Sequence, residues 1–354
     1  MSRKIKRIIV IFIILFIISI IGFIIINNLR KSYDVEEVIE EKYLLLLTDN
    51  GVGVKDVNEN VIIEPQYYDV HIPNPSKSIF VCCYDYNEET DKYRTKVINE
   101  YETELFTKYN KIEAISLVGI DTNMPYEKSV LKYQEDGKYG LIDLKGNLVV
   151  KAKYDSIEGL SNKEGELLVY NDGKCGVINT KGAELISPKY DYITGDEYYT
   201  EEQKYALSGY ILGVTTTNGY RYGYMTYKGK KILDEEYNEI QRLGGISLEN
   251  TDKDLFLVAQ KNGQYGLIKN KKTIIDFRYQ TIGYSGVENL LIVTRSAKTG
   301  VYDTTGEKIL AVKYDEVEIH DTYIQTKLNG EIAYYNLKGN RVDKSTIEEL
   351  KEKK

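Results

Sequence analysis

The 354-residue chain has no tryptophan, only three cysteines, five prolines and two histidines. The cysteines, Cys82, Cys83 and Cys175, are too few for a disulfide framework and have no metal-ligand spacing; Cys82 and Cys83 would face opposite sides of a strand. Burial in a structural role is expected for all three, with a bridge between Cys175 and one of the pair as the other option. Five prolines leave no Pro-rich linker, and there is no low-complexity tract. His71 and His320 share no motif that would build a catalytic triad or a zinc site, and both are expected at the surface. No phosphate loop, dinucleotide fingerprint or nucleophile elbow occurs at a strand-to-helix junction. The expectation is a protein that is not an enzyme, with no catalytic, metal or cofactor residues and no cofactor.

What the sequence has instead is one block repeated. It reads KYGLIDLKGNLVVKAKYDSI at Lys138 to Ile157 and recurs at Cys175 to Ile193 and Tyr222 to Ile240. Two landmarks register it, a glycine entering a strand and a closing tyrosine. Fourteen residues separate Gly53 from Tyr67, Gly140 from Tyr154, Gly176 from Tyr190, Gly223 from Tyr237 and Gly300 from Tyr314. Gly266 and Tyr279 lie 13 apart, as do Lys96 and Tyr109 in a degenerate copy. Ala333 marks a truncated copy without a closing tyrosine. Seven blocks and a partial eighth, with constant cores and connections of changing length, predict an array of one supersecondary unit with its variable segment in surface loops.

The unit itself reads as β structure. Asn-Gly or Asp-Gly pairs at Asn50/Gly51, Asp136/Gly137, Asp172/Gly173, Asn218/Gly219, Asn262/Gly263 and Asn329/Gly330 predict type I′ hairpins, because these residues tolerate positive φ. A second turn carries Gly146, Gly182, Gly229, Gly306 and Gly339. The Tyr-Asp-x-Ile element after each block is short and alternating, which suits a fourth strand. Its acids Asp69, Asp155, Asp191 and Asp315 look like a carboxylate ring, but Asn110 and Asn238 replace them in two copies. Asparagine cannot do acid-base work, so these positions are expected to accept backbone hydrogen bonds at a strand end.

The block G-(K/Q)-Y-G-L-I-D-x-K-G-x-x-V-I-x-P-K-Y-D-x-I resembles the WG repeat, or KWG repeat, of bacterial proteins, over roughly Tyr43 to Val342. The namesake tryptophan is replaced by Tyr139, Tyr222 and Tyr265, by Cys175, and by Val52 and Thr299. If a large aromatic here packs neighbouring units, the copies with Val, Thr or Cys should be looser. The resemblance implies an all-β repeat array with a surface or binding role and supplies no catalytic residues.

Ile8 to Ile26 is a 19-residue apolar run, long enough to span a ~30 Å hydrocarbon core as a helix. Arg3, Lys4, Lys6 and Arg7 before it outweigh Arg30 and Lys31 behind it, which predicts the amino terminus inside and the repeats outside. The run exceeds a signal-peptide core and lacks a small-residue cleavage pair, so an uncleaved anchor is expected over a cleaved signal. Removing these six basic residues leaves 41 basic against 54 acidic residues, a formal charge of −13 for the remainder. A surface of that sign repels phosphate backbones, which excludes nucleic acid as a partner.

The expected organisation is a cytoplasmic basic tail at 1–7, one transmembrane helix at 8–26, a juxtamembrane stalk at 27–42, a β-repeat domain of about eight units at 43–343, and a C-terminal helix at 344–354. For that helix Ser345 and Glu348 have capping-box spacing. The fold class is all-β, a β-propeller of seven or eight blades, since ring closure removes exposed end strands; an open β-hairpin solenoid is the alternative. The expected function is a single-pass, membrane-anchored, extracytoplasmic binding or scaffold module for a protein or cell-envelope polymer. A cell-wall glycan hydrolase and a glycan-binding, lectin-like protein are the alternatives.

Overall fold

The computed structural model describes residues 41–117, 126–161, 164–199, 205–244, 255–287, 289–345 and 347. The expected basic tail and membrane helix, nearly all of the stalk and most of the C-terminal helix lie outside them. Among the described residues no helix is long and apolar enough to cross a membrane. The chain divides into two compact units, Met1–Ile112 and Glu113–Lys354.

Both units are built from small antiparallel sheets whose strands pair in chain order. In the first unit, Tyr43–Thr48, Gly51–Asp56 and Val61–Tyr67 form a three-stranded sheet, and Asp69–His71, Phe80–Asn87, Lys92–Ile98 and Glu104–Leu105 a four-stranded one. Val54, Ile63 and Tyr67 pack against Val70, Phe80, Cys82 and Ile98 between them. The second unit has six four-stranded sheets; in the first of these the unit division falls within the strand Asn110–Glu113. The next shows the common pattern, Ser156–Gly159, Glu166–Asn171, Lys174–Asn179 and Glu184–Tyr190. Each buried layer lies between consecutive sheets, as where Leu141, Val150 and Tyr154 meet Ile157, Leu167 and Val169.

The strand after the closing tyrosine belongs to the following sheet, not to its own block. Tyr154 ends one sheet, Asp155 is the single linking residue, and Ser156–Gly159 opens the next. A sequence block therefore straddles two sheets. The connections of changing length, such as 160–165, 243–255, 285–289 and 320–322, all join the first strand of a sheet to its second.

The spacing from glycine to tyrosine has a steric cause. Cys175 pairs with Tyr190 and Val177 with Ile186, so one residue faces three and the longer strand bulges. The bulge crosses Gly176, where a Cβ would lie 2.4 Å from the Ile186 carbonyl oxygen and 2.6 Å from the Pro188 nitrogen. The same break follows Val52↔Tyr67, Tyr139↔Tyr154, Tyr222↔Tyr237, Tyr265↔Tyr279 and Thr299↔Tyr314. The position of the missing tryptophan is thus directly opposite the closing tyrosine. The copy with cysteine is not loose there: Cys175 is buried, whereas Tyr139, Tyr222 and Tyr265 are half-exposed.

Four of the six expected hairpins have positive φ at both loop residues, Asp136/Gly137, Asp172/Gly173, Asn262/Gly263 and Asn329/Gly330. The other two differ. Gly51 pairs with Thr48 and Gly219 with Thr216, so the loops are Asp49-Asn50 and Thr217-Asn218 and the glycines stand in strands. Each threonine hydroxyl donates to the glycine carbonyl and accepts from the asparagine N–H. In the second turn an Asp or Asn side chain organises the loop: Asp143 Oδ1 accepts the Lys145 and Asn147 N–H groups, and Asn179 Oδ1 those of Lys181 and Ala183. At the carboxyl end Lys344 and Ser345 are already helical, so Ser345 stands inside the helix rather than at its expected cap.

Candidate functional site

The repeated acids are structural clips. Asp155 Oδ1 lies 2.5 Å from Lys138 Nζ in the same block, and its Oδ2 accepts the Asp172 N–H at 2.7 Å from the next sheet's hairpin turn. Asp191 does the same with Lys174 and Thr215, and Asp315 with Lys298 and Asn329. Asn238 keeps the backbone half, accepting the Asn262 N–H at 3.1 Å. The lysine beside each aspartate holds its carboxyl below the usual range. Asp69 departs from this pattern and accepts from the Val70 N–H and His71 Nε2.

Of the two histidines expected at the surface, His71 is half-buried against Asp69, and His320 is half-buried and stacks on Tyr323 with centroids 4.3 Å apart. His71 ends the strand Asp69–His71, and His320 lies in the connection 320–322. Cys82, Cys83 and Cys175 are buried and none is in a disulfide. Among the described residues no three His, Cys, Asp or Glu side chains gather as a metal would require.

The place where the repeat is broken by buried charge lies around Asp196. In most sheets the second strand enters the core with an apolar residue, Val130, Phe256, Leu290 or Tyr323, placed by register opposite the second turn. Two consecutive sheets put Glu166 and Gly209 there. Glu166 is buried and accepts the Tyr210 hydroxyl at 2.6 Å. Gly209 leaves room for the buried Tyr224 phenol, since a Cβ would stand 2.6 Å from its oxygen.

That phenol donates to Asp196 Oδ2 at 2.5 Å, the Ser208 hydroxyl donates to the same oxygen at 2.6 Å, and Arg242 Nη2 meets it at 3.0 Å. Asp196 is 9 % exposed and the Arg242 side chain 12 %. The guanidinium carbon lies 5.2 Å from the centroid of the Tyr198 ring. Burial first, then Asp196, drive the Tyr224 phenol well above its ordinary range, so it remains a neutral donor.

The chemistry of this cluster follows from its bonding. Asp196 Oδ2 already takes three donors, so its lone pairs are committed within the cluster. Arg242 differs, because among the described residues its buried Nε–H meets no acceptor. A buried donor without a partner is destabilising by about 1–3 kcal/mol, so the site favours an incoming acceptor oxygen beside an aromatic ring. Sequence reasoning did not single out Asp196, Ser208, Tyr224, Arg242 or Glu166. The legible signal was Glu166 where sister blocks carry an apolar residue.

The family model described as WG containing repeat matches residues 139–175 and 176–198. Over that stretch the chain is similar to the WG repeat. No curated protein matches the chain in sequence. Solved structures that resemble it include a eukaryotic initiation factor, 10 % identical over 86 % of this chain and 95 % of that one, TM-score 0.32. The Dos1 propeller is 13 % identical over 77 % and 83 %, TM-score 0.26. PorZ, a surface component of the type-IX secretion system of Porphyromonas gingivalis, is 11 % identical over 88 % and 45 %, TM-score 0.24. Superpositions of this quality fix neither a blade count nor a ligand.

Proposed function

We propose that the chain is a membrane-anchored binding module that displays its β-repeat domain outside the membrane to hold a protein or cell-envelope polymer. The observation that carries this reading is the unequal use of donors and acceptors. Asp155, Asp191 and Asp315 are engaged by lysines and backbone N–H groups and Asp196 by three donors, while among the described residues the buried Arg242 Nε–H meets no acceptor. Binding an oxygen-rich chain needs such a donor; hydrolysing one needs a carboxyl free to exchange a proton. The apolar run at Ile8–Ile26 with its basic leading flank supports the anchor and the orientation.

The experiment has two arms. Full-length protein is expected to resist extraction from membranes by alkaline carbonate, and added protease to digest the repeats of intact cells while sparing the amino-terminal tail. The purified protein in detergent is expected to retain a partner from envelope extracts, with Arg242→Lys reducing retention. Sugar release from isolated wall material that disappears in Asp196→Asn would replace this reading by the hydrolase. Binding confined to a glycan array would narrow it to the lectin.

The same proposal extends to architecture, with eight sheets as the blades of a closed eight-bladed propeller, one meander per repeat. One observation favours an open stack as the second reading. Leu44 and Leu46 in the first sheet and Tyr334 in the last are half-buried, whereas their register counterparts, such as Leu167, Val169 and Val177, are buried. Small-angle scattering separates the two by maximum dimension.

A further inference from the structure

Four joints between sheets are closed by a side-chain oxygen of the linking residue, which accepts a hairpin N–H of the next sheet: Asp155 from Asp172, Asp191 from Thr215, Asn238 from Asn262 and Asp315 from Asn329. Gln280 holds that position between the strands Lys272–Tyr279 and Thr281–Tyr284. Its own N–H donates to the Thr294 carbonyl, as at the sister joints, but among the described residues no side chain accepts the N–H of Ser296 in the next hairpin's loop. The lysine half of the clip is missing too, because Gln264 takes the place of Lys138, Lys174 and Lys298.

Cations gather where the carboxylate is missing. Arg278, Tyr279, Arg295, Ser296, Lys298 and Val312, drawn from both sheets, line an open cleft of about 320 Å³. Arg295 and Lys298 face each other across the ladder, and like charges directly opposite are destabilising. Glu135 with Lys138, Asn171 with Lys174, Lys261 with Gln264 and Leu328 with Glu331 hold that register position in sister sheets, and none of these pairs two cations. Lys298 is engaged by Asp315 and Arg278 by Asp276, whereas among the described residues no carboxylate pairs with Arg295. Three cations against two carboxylates leave one positive charge uncompensated, on a chain whose formal net charge is −7. Burial raises the Tyr279 phenol while Arg278 and Arg295 both oppose the rise, so the two guanidiniums act on the same ring.

We propose that this cleft binds one phosphodiester group of an envelope polymer, which takes the place of the absent carboxylate. The proposal rests on the reading above that the repeats hold such a partner, and it names the chemistry of one contact. A phosphodiester carries a single negative charge, equal to the uncompensated one. Arg295 offers a planar fork of N–H donors to its two free oxygens, and Ser296 N–H is the backbone donor that an aspartate takes at the sister joints. A carboxylate is satisfied elsewhere by one lysine and one N–H, which would leave the arginines unengaged. The tetrahedral phosphate accepts from both sheets while its chain leaves the open cleft in two directions. Val312 is the one aliphatic residue of the lining, too little to seat acyl chains. The acidic remainder of the surface disfavours a long polyanion laid across it, so recognition is of a single group. The volume stands at the small end of ligand pockets, as one such group requires.

The test is calorimetric titration of the full-length protein in detergent with glycerophosphoglycerol, a soluble phosphodiester. Wild type is expected to bind it saturably, and Arg295→Ala about tenfold or more weakly. Gln280→Asp is expected to weaken it as much, because it installs the sister joints' carboxylate beside Ser296. Arg295→Ala removes a like-charge pair and Gln280→Asp supplies an acceptor, so neither thermal midpoint is expected to fall and a loss of binding is not a loss of fold. No saturable binding by wild type, or equal affinity in all three proteins, overturns the site. Tighter binding of an acidic peptide assigns the cleft to a protein carboxylate, and binding only to phosphatidylglycerol added to the micelle assigns it to lipid; either result overturns the polymer phosphodiester. Retention of an envelope partner that persists in Arg295→Ala, with no phosphodiester bound, overturns this site alone and leaves the binding module standing.

Discussion

Asp155 accepts Lys138 Nζ on one carboxylate oxygen and the Asp172 N–H on the other, which joins one block's hairpin to the turn of the next sheet. Lys174 with Asp191 and Lys298 with Asp315 repeat the joint. Each of these carboxyls has its folded pKa depressed by its lysine. Their stabilisation is therefore complete above the unfolded value near 4 and is lost as pH falls from there through the folded values. Thermal midpoints measured from pH 7 to pH 2.5 should place wild type above the triple Asp155→Asn, Asp191→Asn, Asp315→Asn variant at neutral pH, with the gap closing below about pH 4. A gap constant with pH would mean that the lysine pairs add nothing.

Gly176 and Gly173 are three residues apart and should respond differently to alanine. At Gly176 the new methyl meets the backbone of the bulge, which no rotamer change relieves, so Gly176→Ala should lose about 2–4 kcal/mol. At Gly173 there is open space and φ is 72°, so Gly173→Ala should lose only the ~1–2 kcal/mol of a left-handed residue. Urea midpoints decide it, and equal losses would refute the steric account of the landmark glycines.

The hairpin between Arg295 and Lys298 carries Ser296 and Ala297 at φ 52° and 57°, without the glycine found in the comparable loops. Ala297→Gly removes the left-handed penalty and, against a small entropic loss, should gain about 0.5–1 kcal/mol. A fall in thermal midpoint would show that this loop is not held left-handed in solution.

The hairpins, the turn glycines and the joint-making aspartates were legible because each depends on local backbone conformation, which a few residue types signal. Asn238 in place of aspartate was enough to separate a hydrogen-bond role from acid-base chemistry. The boundaries of the sheets were not legible. A tyrosine ending one sheet and a strand opening the next are separated by a single residue, Asp155, and only pairing with the Glu166–Asn171 strand shows the change of sheet. The Asp196 cluster was hidden for the same reason, since Arg242 lies 46 residues from its partner.

Burial raises the Cys82 thiol to about 12, and that of Cys175 also rises. Neither should react with a thiol reagent at pH 8 while the protein is folded, and three thiols per chain should appear on denaturation. Rapid native-state labelling of either would show that its sheet opens.

Arg242 and Asp196 provide the strictest test of the cluster, because a buried ion pair and an exposed one predict different numbers. Arg242→Met leaves Asp196 buried with two neutral donors, and breaking a buried pair in this way removes about 3–5 kcal/mol, against less than about 1 kcal/mol for an exposed pair. Tyr224→Phe removes one neutral hydrogen bond from the same oxygen and should lose about 1–2 kcal/mol. If the loss in Arg242→Met comes from stranding the anion, it should shrink when the anion is removed too. Arg242→Met combined with Asp196→Leu should therefore be less destabilised than the sum of the single changes, by about 2 kcal/mol or more in a double-mutant cycle followed by urea unfolding. Additive losses would mean that the two side chains do not meet in solution, and the orphan Nε–H would then no longer mark a binding site.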